Sequence, residues 1–376
     1  MKIKATVTSD SDSNKKYSYS SEDLSILDCY VINPLAEKVV KKFPWWLPAN
    51  IITIVSSALV FLASVIAITV KSTNWPIWIL IPVCYIVYLV GDAADGLQAR
   101  RTKTGSPLGE FCDHFLDTFV TGQMLFIICI SFRIRNPIFI GVMLYLSYFA
   151  QISAFWEKYV THRLHLGRFS ATESILSLST FGTIGFIKPV NAFLSQQVGK
   201  FIPALGVYNV RLVDVFLCVA LFCSLIVSIT TLIRTKKVSL NFALYMIVGA
   251  VLTATAAFVE KDSFFHVFLT LTFYHVNYSA ALLSSIIMKE KDPAPDILLT
   301  VAMCVALIFE LHHPVLLTAF FLYIVIFVAI RAALFIRKNS QYWYWVNPEL
   351  PENAVKPEEK AEEKSVGQDA GEKTVD

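Results

Sequence analysis

Charge is what this sequence has least of. Only 16% of its 376 residues are Asp, Glu, Lys or Arg, while 55% are hydrophobic. A soluble domain of this length needs a larger polar surface. The composition and the mean hydropathy of +0.58 therefore exclude one and point to a polytopic membrane protein. The formal net charge of +3 is too small to suggest a nucleic-acid partner. Paired cysteine spacing is also missing. The seven cysteines, Cys29, Cys84, Cys112, Cys129, Cys218, Cys223 and Cys304, are scattered with no C-x2-C. That excludes a disulfide framework or a zinc site and leaves the reading of small buried hydrophobes. Residues 1–22 contain no apolar run of signal-peptide type, so a disordered polar tail without a cleavable signal is expected. No internal repeat is visible, which argues against a transporter that conducts cations through acidic groups.

Apolar runs of bilayer length are abundant. They predict an all-α polytopic membrane protein with about ten transmembrane helices, near 50–70, 76–97, 111–131, 137–156, 172–190, 209–233, 240–259, 263–288, 296–311 and 314–336. Eight is the fallback, because the fifth is rich in Gly, Ser and Thr and the ninth is short. Residues 23–49 mix apolar and basic positions, with Lys38, Lys41 and Lys42 near Trp45 and Trp46. They read as a short amphipathic segment, either on the membrane surface or packed on the protein's own face. Asn33 is expected to cap its helix, ahead of Pro34. The stretch from 339 to 376, rich in Glu, Lys and Pro, reads as a second disordered tail. Lys and Arg cluster in alternate loops, at Arg100, Arg101 and Lys103, at Lys158, Arg163 and Arg168, at Arg234, Lys236 and Lys237, and at Lys289 and Lys291. By the positive-inside bias, those loops and both termini are expected in the cytosol.

Within this apolar chain, four aspartates stand in two pairs. Asp92 and Asp95 are three apart and Asp113 and Asp117 four apart, so each pair shares one helix face. Between them, Gly105, Pro107 and Gly109 permit a reversal. Two helices joined by a short turn would then bring four carboxylates together. Such groups at helix ends can be solvated caps, but intramembrane ionisable groups mark functional sites. Their repulsion in a low dielectric calls for divalent cations, and Mg²⁺ binds carboxylates together with substrate phosphates. Gly96 and Ala99 leave room for a nucleotide or ribose, and Arg100 can grip phosphate.

The full pattern, D-x2-D-G-x2-A-R-x8-G-x3-D-x3-D, is complete as Asp92, Asp95, Gly96, Ala99, Arg100, Gly109, Asp113 and Asp117. It resembles the signature of the CDP-alcohol phosphotransferase superfamily. The resemblance implies two Mg²⁺ ions (or Mn²⁺) on Asp92, Asp95, Asp113 and Asp117, with Gly109 among the substrate-binding positions. "LPANIITI" is similar to the superfamily's first-helix start, where an Asn lies near the nucleotide, so Asn50 is either that contact or a helix cap. Length, the "SPLGEFCDHFLD" turn and "YSSEDLSILDCYVINPL" resemble the choline/ethanolamine phosphotransferase branch. The segment "FWEKYVTHRLHLGRFSATES" is similar to that branch in part, but His162 stands where Gly is common and Arg163–Leu164–His165 depart from it. "FYHVNYSAALLSSIIM" is weakly similar to a late segment of the branch.

The implied reaction is transfer of phosphocholine or phosphoethanolamine from CDP-choline or CDP-ethanolamine to diacylglycerol, releasing CMP. Ceramide or inositol on the same chemistry is the alternative. The resemblance also implies a homodimer in the endoplasmic reticulum or Golgi membrane. Residues 50–190 would hold the catalytic helices, and 191–338 a lipid chamber and oligomer contacts. His114, beside the carboxylates, is the expected general base, with Asp117 as runner-up. Glu173, at the mouth of a span, is expected to orient His114 or receive its proton. Asp214, Glu260, His266, His275, Asn277, Glu310, His312 and His313 are expected mostly at the interface.

Overall fold

The protein is described by a computed structural model covering residues 21–23, 25–70, 76–166, 171–202, 209–255, 264–309 and 314–338. The expected tails at 1–20 and 339–376, with Arg168, Glu260, Glu310, His312 and His313, lie outside the described residues. Ser21–Asp23, where the first tail was expected to end, instead forms a short strand, β1. It pairs in parallel with β2, Leu164–Leu166.

Helix dominates everything else. In order the helices are α1 (Asn33–Val40), α2 (Ala49–Val70), α3 (Leu80–Thr102), α4 (Pro107–Ser131), α5 (Pro137–Thr161) and α6 (Ala171–Ile184). Then come α7 (Lys188–Leu194), α8 (Leu212–Thr235), α9 (Leu240–Thr255), α10 (Phe264–Met288), α11 (Ile297–Ile308) and α12 (Pro314–Lys338). Each of the ten expected apolar segments contains helix, but the fifth breaks between α6 and α7, and 256–259, 263 and 310–311 lie outside the described residues. Among the described residues, six helices, not ten, are long and apolar enough to cross a membrane: Ala49–Thr69, Pro76–Thr102, Pro107–Ser131, Pro137–Thr161, Leu212–Thr235 and Val315–Leu334. The chain is an all-α polytopic membrane protein.

Local chemistry sets the boundaries. Pro107 and Pro137 occupy first-turn positions, where their missing N–H costs nothing. Ser106 and Asn136 cap those helices by accepting the N–H of Gly109 and Phe139 at 3.0 and 3.1 Å. α3 stops where Lys103 turns left-handed (φ 56°) and the Thr104 N–H returns to the Ala99 carbonyl at 3.0 Å. The α3–α4 turn is thus Lys103–Ser106, and Gly109 lies inside the first turn of α4. Asn33 does not cap α1. Its backbone is already helical and continues the turn formed by Asp28–Ile32.

α2 packs on α3 and α4, while α6 packs on α3 and α4. α10 packs against α4, α5, α9, α11 and α12. It is buried on nearly every side, His266, His275 and Asn277 included. Of the group expected mostly at the interface, these three lie inside the bundle. His275 Nδ1 bonds the Tyr245 hydroxyl at 2.9 Å, and His266 Nε2 the Ala306 carbonyl at 3.0 Å. Such partners make polar groups tolerable in the interior. Asp214, by contrast, sits at the start of α8 and pairs with Arg211 at 2.8 Å. The cysteines divide: Cys84 and Cys129 are buried as expected, whereas Cys29, Cys218 and Cys223 are exposed. α8 shows the reason, because its outer face is apolar and open to lipid and a thiol needs no burial there.

One ion pair fastens α5 to α8. Glu157 is 1% exposed on its side chain, and both its oxygens accept from Arg234 at 2.5 Å. Arg234→Met leaves that carboxylate buried and unpaired. Because Arg234 itself is half exposed, the expected loss is about 2 kcal/mol, below that of a fully buried pair. Thermal unfolding in detergent checks this, and Glu157→Gln added to Arg234→Met should recover most of the loss.

Candidate active site

Two helices deliver the four aspartates. Asp92 and Asp95 lie in the second half of α3, and Asp113 and Asp117 in the first half of α4. The Lys103–Ser106 turn reverses the chain, and both helices pack on α2 and on α6, so the pairs meet. Ligand oxygens of Asp92, Asp95 and Asp113 lie within 4.8 Å of one another, as do ligand atoms of Asp113, His114 and Asp117. Asp113 belongs to both groups and joins them.

Neighbouring side chains aim these carboxylates. Thr53, on α2, donates its hydroxyl to Asp95 Oδ2 at 2.5 Å. Tyr88, one turn before Asp92 on α3, donates to Asp117 Oδ1 at 2.5 Å. Asp113 Oδ1 is buried with no hydrogen-bond partner. An orphaned carboxylate oxygen among other carboxylates is unfavourable as it stands and suits a cation. The residues therefore fit a divalent metal: hard oxygen donors from two helices, with one donor unsatisfied.

Close backbone approach brings α2 against the site. A Cβ on Gly91 would fall 2.5 Å from Ser56 Cβ, so only glycine allows that contact one residue before Asp92. A Cβ on Gly109 would lie 2.9 Å from Asn50 Oδ1. Asn50 and Gly109 are thus neighbours at the mouth of the site. Asn50 is the second residue of α2 rather than its cap. The Arg100 guanidinium folds over Gly96, 3.4 Å from where a Cβ would sit. Ala99, partly exposed, lies beside it.

His114 is buried against Phe155. Its Nδ1 lies 3.7 Å from Asp113 Oδ2 and 3.9 Å from Asp117 Oδ2. Its Nε2 meets Lys158 Nζ, from α5, at 2.9 Å, and the same Nζ pairs with Glu110 at 2.5 Å. The structure does not bring Glu173 to this ring. Glu173 Oε1 accepts from the Ser25 hydroxyl at 2.7 Å and from the Leu27 N–H at 3.0 Å. Its neighbour Thr172 donates to Asp28 at 2.8 Å. Among its described partners, Glu173 holds the N-terminal segment in place.

α1 and the residues after it lie on α3. Gln98 donates to the Pro44 and Leu47 carbonyls at 3.1 and 3.0 Å. Arg101 donates to the carbonyls of Val40 and Phe43 and stacks on Trp45, 4.2 Å from its centroid. The other face exposes Tyr30, Leu35 and Trp46 with Lys38, Lys41 and Lys42. The segment thus packs on the protein and remains amphipathic.

Residues 46–198 match the model of the CDP-alcohol phosphatidyltransferase family. The match spans α2 to α7, and so the helices that carry the aspartates. Choline/ethanolaminephosphotransferase 1 of Saccharomyces cerevisiae is 33% identical over 172 residues, 43% of each chain. Cholinephosphotransferase 1 of Gallus gallus is 32% identical over 44% of this chain and 51% of its own. Ethanolaminephosphotransferase 1 of Homo sapiens is 33% identical over 40% of this chain and 42% of its own. The chain spans about half the length of the curated relatives it matches. The four aspartates lie within the matched range.

Sequence reasoning missed Thr53, Tyr88, Glu110 and Lys158. Tyr88 stands four before Asp92 and Glu110 four before His114, which is one helical face in each case. Thr53 and Lys158 come from other helices and leave no local signal. Tyr88→Phe removes a hydrogen bond to a charged group, so any turnover at this site should fall about tenfold, or about 1.4 kcal/mol. Steady-state kinetics beside a melting curve, unchanged within a few degrees, checks this.

Proposed function

We propose that the chain transfers phosphocholine or phosphoethanolamine from a CDP-alcohol to the free hydroxyl of diacylglycerol, releasing CMP. The observation that carries the reading is the convergence of the two aspartate pairs on α3 and α4, inside the matched domain. Relatives named for choline and ethanolamine phosphotransfer support the substrate class. Asp92, Asp95, Asp113 and Asp117 would hold Mg²⁺, or Mn²⁺ in its place, two ions in all. When bound, the metal offsets the charge of the donor diphosphate and makes its phosphorus more electrophilic.

The chain's own residues supply the rest. Arg100, over Gly96 and beside Ala99, is assigned to the donor phosphates, and Asn50 with Gly109 to the nucleotide side. The acceptor oxygen attacks the phosphorus that carries the alcohol. A new O–P bond forms, the anhydride bond breaks, and CMP leaves with the bridging oxygen. The acceptor's proton passes to His114 or to Asp117. Sequence reasoning puts His114 first. The Lys158 contact on Nε2 favours Asp117, because a ring held that way carries its own proton on the edge facing the site. Glu173 is assigned to holding the Ser25–Asp28 segment rather than to proton transfer.

We assign the chemistry to residues 50–190, and the lipid chamber and oligomer contacts to 191–338. Arg100, Arg101 and Lys103 at the α3–α4 turn support a cytosolic mouth, with both termini on the same side. An endoplasmic reticulum or Golgi location and a homodimer are further parts of the proposal. Light scattering of the purified protein in detergent tests the dimer.

Membranes carrying the wild-type chain should release CMP from CDP-choline or CDP-ethanolamine when diacylglycerol and Mg²⁺ are present, and not after chelation. Ceramide or inositol replacing diacylglycerol in that assay would reassign the acceptor. Uptake of the cation without CMP release would make the chain a transporter. Each of Asp92→Ala, Asp95→Ala, Asp113→Ala and Asp117→Ala should retain less than about a tenth of the activity. A variant above that level would remove its aspartate from the site. Gly105 is exposed and has open space where a Cβ would go, so Gly105→Cys is a suitable topology probe. It should be labelled from the cytosolic side of sealed vesicles, and lumenal labelling would invert the orientation.

A further inference from the structure

Helices α5 and α8 are fastened at both ends. At one, Arg234 bonds Glu157 at 2.5 Å. At the other, Arg211, just before α8, donates to the carbonyl of Phe132, ahead of α5, at 2.9 Å. Between these ties the helices leave a groove of about 470 Å³. Its walls include Phe139, Val142 and Leu146 from α5 and Cys218, Leu221 and Phe222 from α8, and Asn136 is its polar end. A cleft of this size can hold a ligand.

Both helices are long and apolar enough to cross a membrane, and Cys218 and Phe222 are exposed. The groove therefore opens to hydrocarbon. Left empty, its walls would lack dispersion partners on one side. From Asn136 to Leu146 the α5 wall rises about 15 Å at the helical pitch, the hydrocarbon depth of one leaflet. An acyl chain fits that length.

The polar end carries uncompensated positive charge. Arg133 is exposed, and its guanidinium has no hydrogen bond or ion pair among the described residues. Arg135 lies over the Phe264 ring at 4.3 Å, a contact that leaves its charge unneutralised. The carboxylate of Asp214 is already taken by Arg211 at 2.8 Å. Asn136 uses Oδ1 to accept the Phe139 N–H, so its amide hydrogens remain to donate. The first turn of α5 is here too, and a helix N-terminus favours phosphate.

We propose that this groove binds one net-anionic glycerophospholipid, with an acyl chain between α5 and α8 and its phosphate at Arg133 and Asn136. A headgroup with its own ammonium would bring a further positive charge to the two arginines, so a net negative lipid is preferred. The site is remote from the aspartates: Asp117 and Ser131 are about 21 Å apart along α4, and the groove begins beyond Ser131. The lipid is a resident of the fold, not the acceptor, and the inference does not rest on the phosphotransferase reading.

The full chain in detergent is offered equal amounts of dioleoyl phosphatidylglycerol and dioleoyl phosphatidylcholine and read by native mass spectrometry. One lipid should stay bound per chain, with phosphatidylglycerol preferred about tenfold, the effect of one charge-assisted contact. Arg133→Gln should bring the two lipids to within about twofold of each other. Cys218→Trp fills the groove from an exposed position and should lose retained lipid of either kind. Val142→Phe, which narrows the groove from the opposite wall, should give the same loss. Melting curves in detergent alone confirm that each variant is folded.

The proposal is overturned by no retained lipid in the wild-type chain, by equal retention of the two lipids, or by an unchanged preference in Arg133→Gln. Full retention in both groove-filling variants would place the lipid elsewhere. Light scattering that shows paired chains separating in Cys218→Trp, with no lipid bound in the wild type, would make the groove a contact between copies instead.

Discussion

Carboxylates repel, and in an apolar bundle little water softens the repulsion. Helices α3 and α4 nonetheless present two aspartates each to one another, and Asp113 belongs to both clusters. Much of the surrounding architecture answers that constraint. Thr53 and Tyr88 donate hydroxyl hydrogens to the aspartates, Lys158 places a cation one helical turn behind Asp113, and Gly91 lets α2 close against α3. The site is over-determined from the side of α2, α3 and α5. It stays short of positive charge at its centre, which is where a divalent ion belongs. The separation of the oxygens is set by helix packing, so the cluster that could hold a metal is formed by the fold itself.

The same logic explains the unusual core of the bundle. Within a membrane, a buried polar group must find its partner inside the protein. α10 carries His266, His275 and Asn277, and its two histidines are bonded to neighbouring helices. Thr118, next to Asp117, is contacted from two sides: the Tyr148 hydroxyl bonds its carbonyl at 3.0 Å and Ser279 its hydroxyl at 2.9 Å. The rear of α4 is therefore anchored by directional bonds from α5 and α10, while its front carries the chemistry. Dispersion packing alone would not define the rotation of α4 so closely.

Much of this was legible in the residues and some was not, for physical reasons. The aspartate pairs and the turn between them are local, so spacing along the chain is enough to see them. Helix positions follow from apolar runs and from Ser106–Pro107 and Asn136–Pro137, whose backbone chemistry starts a helix in almost any context. Gly109 was read as part of the turn because glycine breaks helices. It lies inside the first turn of α4, where the Asn50 side chain approaches from another helix, a contact no local pattern encodes. His275 and Asn277 were placed at an interface because hydropathy cannot separate a polar group near water from one paired inside. Glu173 was assigned to His114 by class of residue, whereas the described partners of its side chain, Ser25 and Leu27, lie almost 150 positions away. Lys158 was seen only as one more basic charge in a loop.

The N-terminal segment adds a matter of timing. Ser21–Asp23 pairs with Leu164–Leu166, Ser25 and Leu27 hang on Glu173, and the stretch to Leu47 is bonded to Gln98 and Arg101. Chains are made from the N-terminus, yet none of these partners exists when residues 21–47 leave the ribosome. α1 can seat once α3 has entered the bilayer. Ser25 and Leu27 must wait until α6 has been synthesised, a contact of high order that forms slowly. The Ser21–Leu47 segment therefore settles after the helices it binds. During biogenesis the aspartate cluster is assembled from α3 and α4 while that edge is still uncovered.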